Sequence, residues 1–147
     1  MATRSTIAKE FEDGTIKQVY CHWDGYFDGV GTTLLKHYTN NEKLDQLLEL
    51  GDISRLGSGL GEKHEFSNPF KYNSIEYEIW KNDPANSSTF YGRDRGEEGT
   101  IARKFSSVEH YASSGQSEDC DYIFRADGKW YMRSGATKRG LTEITLK

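Results

Sequence analysis

The sequence predicts a single α+β domain, residues 1–147, in which an antiparallel sheet built from two Asp-Gly hairpins carries a helical hairpin and one further short helix. Three observations predict it. Asp13-Gly14 and Asp127-Gly128 each sit between runs rich in β-branched and aromatic residues, the strongest short-range hairpin signal. Between them the apolar spacing changes to a helical period, at Val30, Leu34 and Tyr38 and again at Leu44, Leu47 and Leu48. A chain of 147 residues with 35% hydrophobic and 13% aromatic residues also has enough apolar side chain for one core, much of it rings.

The first hairpin joins Ser5–Phe11 to Ile16–Trp23. A two-residue turn centred on Asp13-Gly14 pairs Phe11 with Ile16, Glu10 with Lys17, Ala8 with Val19 and Ile7 with Tyr20, so opposite charges and apolar residues meet. Tyr20 and His22 then share one face, and Val19, Cys21 and Trp23 the other. A helix starting near Val30, with Asp28 placed to cap it, follows. A second opens on the capping box Thr39-x-x-Glu42 and stops at Gly51. The glycine-rich stretch Asp52–Asn68 reads as a surface loop with one short turn around Ile53–Leu56. Ser74–Trp80 alternates Ile75, Tyr77 and Ile79 with Glu76 and Glu78, the pattern of a half-buried strand with an acidic outer face.

A strand is expected at Ser88–Tyr91, a loop over Gly92–Gly99, a strand at Ile101–Phe105, and a short helix from the capping box Ser106-x-x-Glu109 to about Ser113. The second hairpin joins Asp121–Arg125 to Lys129–Arg133. Its two-residue register sets Phe124 opposite Tyr131, Ile123 opposite Met132, and Arg125 opposite Trp130 as a cation–π pair. Leu141–Leu146 alternates and supplies a last strand.

Composition narrows the function. A formal net charge of −4 repels a phosphate backbone, which disfavours long nucleic acid as a partner. Cys21 and Cys120 lack CxxC partners and read as free thiols of a reducing compartment. No run approaches the roughly 20 apolar residues of a membrane span, and the N-terminus has no signal-peptide pattern, so a cytoplasmic protein is expected. Cys21, His22, His37, His64, His110 and Cys120 show no metal-ligand spacing; His22 and Asp24 would share a cation only if the turn folded them together. No metal and no cofactor are expected. Cys21 and His22 are consecutive in a strand and point to opposite faces, so neither activates the other. Gly29-x-Gly31 and Gly57-x-Gly59-x-Gly61 lack the strand-to-helix setting of a dinucleotide fingerprint.

Two stretches remain as candidates. In Tyr20–Gly31 the rings of Tyr20, Trp23, Tyr26 and Phe27 offer faces for a base. Asp24 and Asp28 accept hydrogen bonds, the glycines allow close approach, and the following helix presents its N-terminal N–H groups to an anion. The alternative makes Trp23 and Phe27 core residues and Asp28 a simple cap. In Gly92–Gly99, Arg93 and Arg95 reach one anion together if the segment is extended, unless Asp94, Glu97 and Glu98 neutralise them. The expected ligand-binding set is therefore Tyr20, His22, Trp23, Asp24, Tyr26, Arg93 and Arg95, converging on one hollow. Were the protein an enzyme, His22, Asp24 and Glu97 are its acid/base candidates.

The strings Arg4–Ile7, Val19–Tyr26 (VYCHWDGY), Val30-Gly31 with Leu34-Leu35-x-x-Tyr38, Gly51–Gly57 and Tyr91–Glu97 (YGRDRGE) resemble a group of small phage and prophage proteins. The resemblance covers most of the chain except about 65–86, which reads as a variable insertion. It implies a role against host antiviral defence. Joined to the two candidate stretches, it leads to a protein that binds and sequesters a nucleotide-derived, phosphate-containing immune signal without catalysis. Two alternatives stand beside it: a phosphodiesterase that degrades the signal, and an inhibitor that docks on a host defence enzyme. Exposed aromatics make a homo-oligomer, first a dimer, the expected assembly.

Overall fold

Both Asp-Gly turns form, and each holds one more residue than a two-residue turn. The computed structural model describes residues 3–60, 75, 88–113, 117–134 and 140–146. In the first hairpin, β1 (Ser5–Glu10) and β2 (Ile16–Cys21) pair Glu10 with Ile16, Ala8 with Gln18 and Ile7 with Val19. Gly14 N–H donates to Phe11 O (2.9 Å), Phe11 N–H donates to Thr15 O (2.8 Å), and Gly14 has φ +87°. This is a three-residue loop whose glycine occupies the left-handed position of a bulge. The second hairpin repeats it: Gly128 N–H to Arg125 O (3.0 Å), Arg125 N–H to Lys129 O (3.0 Å), Gly128 at φ +78°. Both expected registers are therefore off by one. Phe124 faces Trp130, Ile123 faces Tyr131, and Arg125 lies over Tyr131 rather than Trp130, 5.7 Å from the ring centroid.

The remaining strands are β3 (Ile53–Arg55), β4 (Thr89–Phe90), β5 (Arg103–Phe105), β6 (Cys120–Phe124), β7 (Trp130–Ser134) and β8 (Thr142–Glu143). Their order is β4-β3-β2-β1-β6-β7-β8, with β5 alongside β2. The α+β class and both hairpins hold, but the sheet is mixed rather than wholly antiparallel. β1 and β6 run parallel, as do β2 and β3. The helices between β2 and β3 carry the chain back across the sheet, which a parallel pair requires.

A π-helical turn, Phe27–Gly31, runs into α1 (Thr32–His37), and α2 (Asn41–Leu50) follows. Val30, Leu34, Tyr38, Leu44, Leu47 and Leu48 pack on Ile7, Val19, Cys21, Ile53, Tyr122, Phe124 and Trp130 of one sheet face. On the other face Ala8, Ile16, Phe105 and Ile123 meet Tyr111 of α4 (Val108–Ser113). Each cap falls one residue beyond the expected one. Asn40, not Thr39, accepts from Lys43 N–H (3.2 Å), and Ser107, not Ser106, accepts from His110 N–H (3.0 Å). Asp28 lies inside the π turn and caps nothing. Ile53–Arg55 is a strand, not a turn, because the edge of β2 is open to it. The stretch Gly92–Gly99 begins as a helix, α3 (Tyr91–Arg95). Of the strand expected over 74–80 only Ile75 falls among the described residues, where it is helical and exposed. The insertion expected over 65–86 otherwise lies outside them.

Candidate functional site

β2 leaves the sheet through a bracket of backbone hydrogen bonds. His22 N–H donates to Ile53 O (3.0 Å), Trp23 N–H to Ser54 O (3.1 Å), and Gly25 N–H to Thr3 O (2.8 Å). The buried Tyr122 hydroxyl reaches across to Gly25 O (2.8 Å). Asp24 sits at φ +58°, and its carbonyl accepts from Val30 N–H (2.8 Å). A Cβ on Gly29 would lie 2.3 Å from that carbonyl, and one on Gly25 would lie 2.8 Å from Thr3 O. These two glycines admit the chain's own backbone and not a ligand. The expected anion site at the helix start is likewise filled, since Gly29 N–H already donates to Tyr26 O (3.0 Å).

The rings stay outside. Trp23 and Tyr26 are each 47% exposed, which removes the alternative that Trp23 is core. The Tyr20 hydroxyl and His22 Nδ1 lie 2.7 Å apart in a hydrogen bond, and the Trp23 indole and His22 ring meet in a T-shaped contact, 4.7 Å between centroids. The three side chains make a stepped platform at the end of β2. Partial burial raises the Tyr20 phenol above its ordinary value; the Arg4 cation opposes this, while Glu118 and Tyr91 add to it. Arg4 did not belong to the expected set. A correct register would have found Arg4, because continuing the β1–β2 pairing by one residue sets it across from His22.

The outer part of the turn has the opposite electrostatic character. Tyr26 donates to Asp24 Oδ1 (3.3 Å), and its phenol is raised chiefly by the Asp24 charge, then by desolvation, then by that hydrogen bond and by Asp28.

The arginine pair does not form an anion clamp. The segment is helical over Tyr91–Arg95 and not extended, which was the condition for the expected pair. Arg93 donates to Asp94 Oδ1 (3.0 Å) and Oδ2 (3.2 Å) and to Ser88 O (3.2 Å), with its guanidinium 4.7 Å over the Phe90 ring. Asp94 also accepts from Phe90 N–H (2.7 Å), the bond that winds this segment into a helix. The Arg95 side chain lies outside the described residues. The neutralised alternative therefore holds for Arg93, and the expected convergence of rings with paired guanidinium groups fails there.

The acid/base candidates are not assembled either. Among the described residues no hydrogen bond or ion pair joins His22, Asp24 and Glu97 to one another, and Glu97 is exposed. Burial pushes the Cys21 thiol up to about 12, so it carries no thiolate at neutral pH. Among the described residues no three His, Cys, Asp or Glu side chains gather closely enough to hold a metal ion, and no helix is long and apolar enough to cross a membrane.

Asp52 supports the platform from behind. β5 pairs with β2 up to Gln18 and β3 pairs with it at Cys21, which leaves a gap between them. Asp52 Oδ1 fills it by accepting from Tyr20 N–H (2.9 Å), and the same carboxylate holds Arg103 (3.2 Å).

Two hollows flank these elements. One, of about 540 Å³, lies between the hairpin turns, where Lys9 is held by Asp45 (2.6 Å) and Arg125 by Glu10 (3.1 Å). The other, of about 510 Å³, is lined by Tyr26, Phe27, Asp28, Ile144 and Thr145. What the fold and site define is a single-domain α+β protein with an open aromatic platform and no assembled catalytic group among its described residues. Comparison with protein-family models, with curated proteins and with solved structures returns no match.

Proposed function

We propose that this is a phage or prophage accessory protein that binds a nucleotide-derived host immune signal and withholds it from its receptor without chemical turnover. The single observation that carries the reading is the Tyr20–His22–Trp23 platform, an exposed indole beside two half-buried rings at the end of β2, with Arg4 across the ladder from His22. A base stacks on Trp23, the His22 ring edge hydrogen-bonds its substituents, and Arg4 takes the phosphate in place of the arginine pair. Among the described residues no carboxylate is ion-paired with Arg4.

The test is thermal denaturation with a panel of mono-, cyclic mono- and cyclic dinucleotides, followed by chromatography of the ligand after denaturing the protein. A native-state ligand raises the melting temperature and is returned intact. Trp23→Ala weakens binding by about 1–3 kcal/mol, the range for base stacking, and Arg4→Ala by about 1.5–3 kcal/mol. Arg93→Ala leaves affinity unchanged. Recovery of cleaved nucleotide would instead establish the phosphodiesterase alternative, and unchanged affinity in both the Trp23 and Arg4 variants would remove the platform.

A further inference from the structure

We propose that the groove between the aromatic turn and the C-terminal strand is a docking surface for a basic segment of a partner protein, in which Arg or Lys alternates with aliphatic residues. The groove has an apolar floor, Phe27 and Ile144, the latter packed against the main core. Its rim carries a ring and carboxylates. Tyr26 is 47% exposed, Asp28 lines the wall, and Asp24 is held at the Tyr26 hydroxyl. Leu146 continues the apolar surface past Thr145, 46% exposed.

Charge complementarity selects the occupant. The buried and half-buried acids of the fold, such as Asp52, Asp94 and Asp121, have cations beside them, whereas among the described residues the groove is lined by no Lys or Arg. Among the described residues, Asp24 and Asp28 pair with no cation. An exposed ring face beside unpaired carboxylates attracts a guanidinium or ammonium by both its quadrupole and its neighbours' charge. A nucleotide phosphate is repelled here. A lone amine would leave Phe27, Ile144 and Leu146 uncovered, whereas a peptide whose side chains alternate covers the apolar strip while delivering the cation. This surface is independent of the Tyr20–His22–Trp23 platform, and either can fail while the other stands.

Isothermal titration of the full chain with a synthetic peptide of alternating Arg and Leu tests it, with a Glu and Leu peptide as the counterpart. The Arg peptide is expected to bind saturably and the Glu peptide not to bind. Affinity should fall at least tenfold in Asp24→Asn/Asp28→Asn and again as salt rises from about 50 to about 500 mM. Asparagine retains an acceptor for the Tyr26 hydroxyl, so the turn keeps its bracket. Glu42→Gln/Glu98→Gln, the same change of charge made elsewhere on the exposed surface, should bind as the unaltered protein does. The proposal is overturned by any of three results. These are no saturable binding up to about 1 mM, the weak end of specific recognition, equal loss in both double variants, or a dimer in sedimentation that must dissociate before the peptide binds. The last would assign the groove to a second copy of this chain. Nucleotide-induced stabilisation measured on Asp24→Asn/Asp28→Asn separates this surface from the platform, since it should be unchanged there.

Discussion

Replacing Asp52 tests whether one carboxylate, and not continuous strand pairing, holds the platform in place. Asp52→Ala leaves the Tyr20 N–H without its acceptor in a buried gap, a loss of about 1–3 kcal/mol. It also removes the Arg103 ion pair, whose arginine side chain is 39% exposed, so solvent screening limits that contribution to about 0.5 kcal/mol. Together these give about 1.5–3.5 kcal/mol, and in a chain of this length the melting temperature should drop by about 5–10 °C. Asp52→Asn keeps an oxygen in the Oδ1 position for Tyr20 and loses only the charge. It should cost about 0.5 kcal/mol, or about 1–2 °C. Thermal denaturation gives both shifts, and amide hydrogen exchange locates them, because Tyr20 N–H exchange should quicken in the alanine variant alone. Equal shifts for alanine and asparagine would refute the reasoning, since the ion pair would then carry the whole effect and the backbone bond none of it.

The remaining predictions concern the turn, the second core and the helix of the arginine segment. Gly29→Ala forces a Cβ onto the Asp24 carbonyl and should destabilise by about 1–3 kcal/mol in urea titration, whereas Gly14→Ala, in open space but at φ +87°, should cost about 1 kcal/mol. Arg93→Lys cannot keep the forked contact with Asp94 and Ser88 O and should lower stability by about 1 kcal/mol with ligand affinity untouched, read by denaturation and titration together. Asp121 is buried beside Thr6 (2.6 Å) and Arg133 (3.3 Å), and desolvation raises its carboxyl above the ordinary 3.8 despite those partners. A raised carboxyl contributes stability that is complete below the unfolded value and is lost as pH rises through the folded one. The stability advantage of the unaltered protein over Asp121→Asn should therefore be largest below about pH 3.8 and shrink upward from there; the reverse trend in urea titrations would show that Arg133 outweighs burial.

The element types were largely readable, and their registers were not. Asp-Gly announces a hairpin because both residues tolerate the required backbone, yet the same dipeptide fits a two-residue turn and a three-residue turn with a bulge. Asp13 settles the longer form by accepting from Thr15 N–H (2.9 Å), and Asp127 does so from Lys129 N–H (3.0 Å), side-chain bonds that pairing arithmetic does not contain. The helix caps slipped for a related reason. Asn40 is the stronger capping residue beside Thr39, a preference the Thr39-x-x-Glu42 pattern overlooked, while Ser106 and Ser107 are chemically identical and local sequence cannot choose between them. The helix α3 was hidden because Asp94 read as a charge partner for arginine, whereas it also closes the backbone at Phe90.

Those slips explain why the candidate platform was only half drawn from the sequence. A side-chain period of two makes faces survive an error of one on each strand only for residues of the same strand. Tyr20 and His22 were therefore placed together correctly, while their neighbour across the ladder, Arg4, was not. Trp23 and Tyr26 also survived because they stand exposed, and Arg93 was lost because the neighbouring Asp94 already satisfied it. The aromatic turn is consequently two surfaces joined by one bracket. The His22 side, with Arg4 across the ladder, is the one proposed for an anion with a flat base; the Tyr26 side, beside Asp24 and Asp28, is the one proposed for a cation. A ligand that used all the turn's rings at once would have to satisfy both potentials, so the physical expectation is separate occupants, one on each side of Gly25.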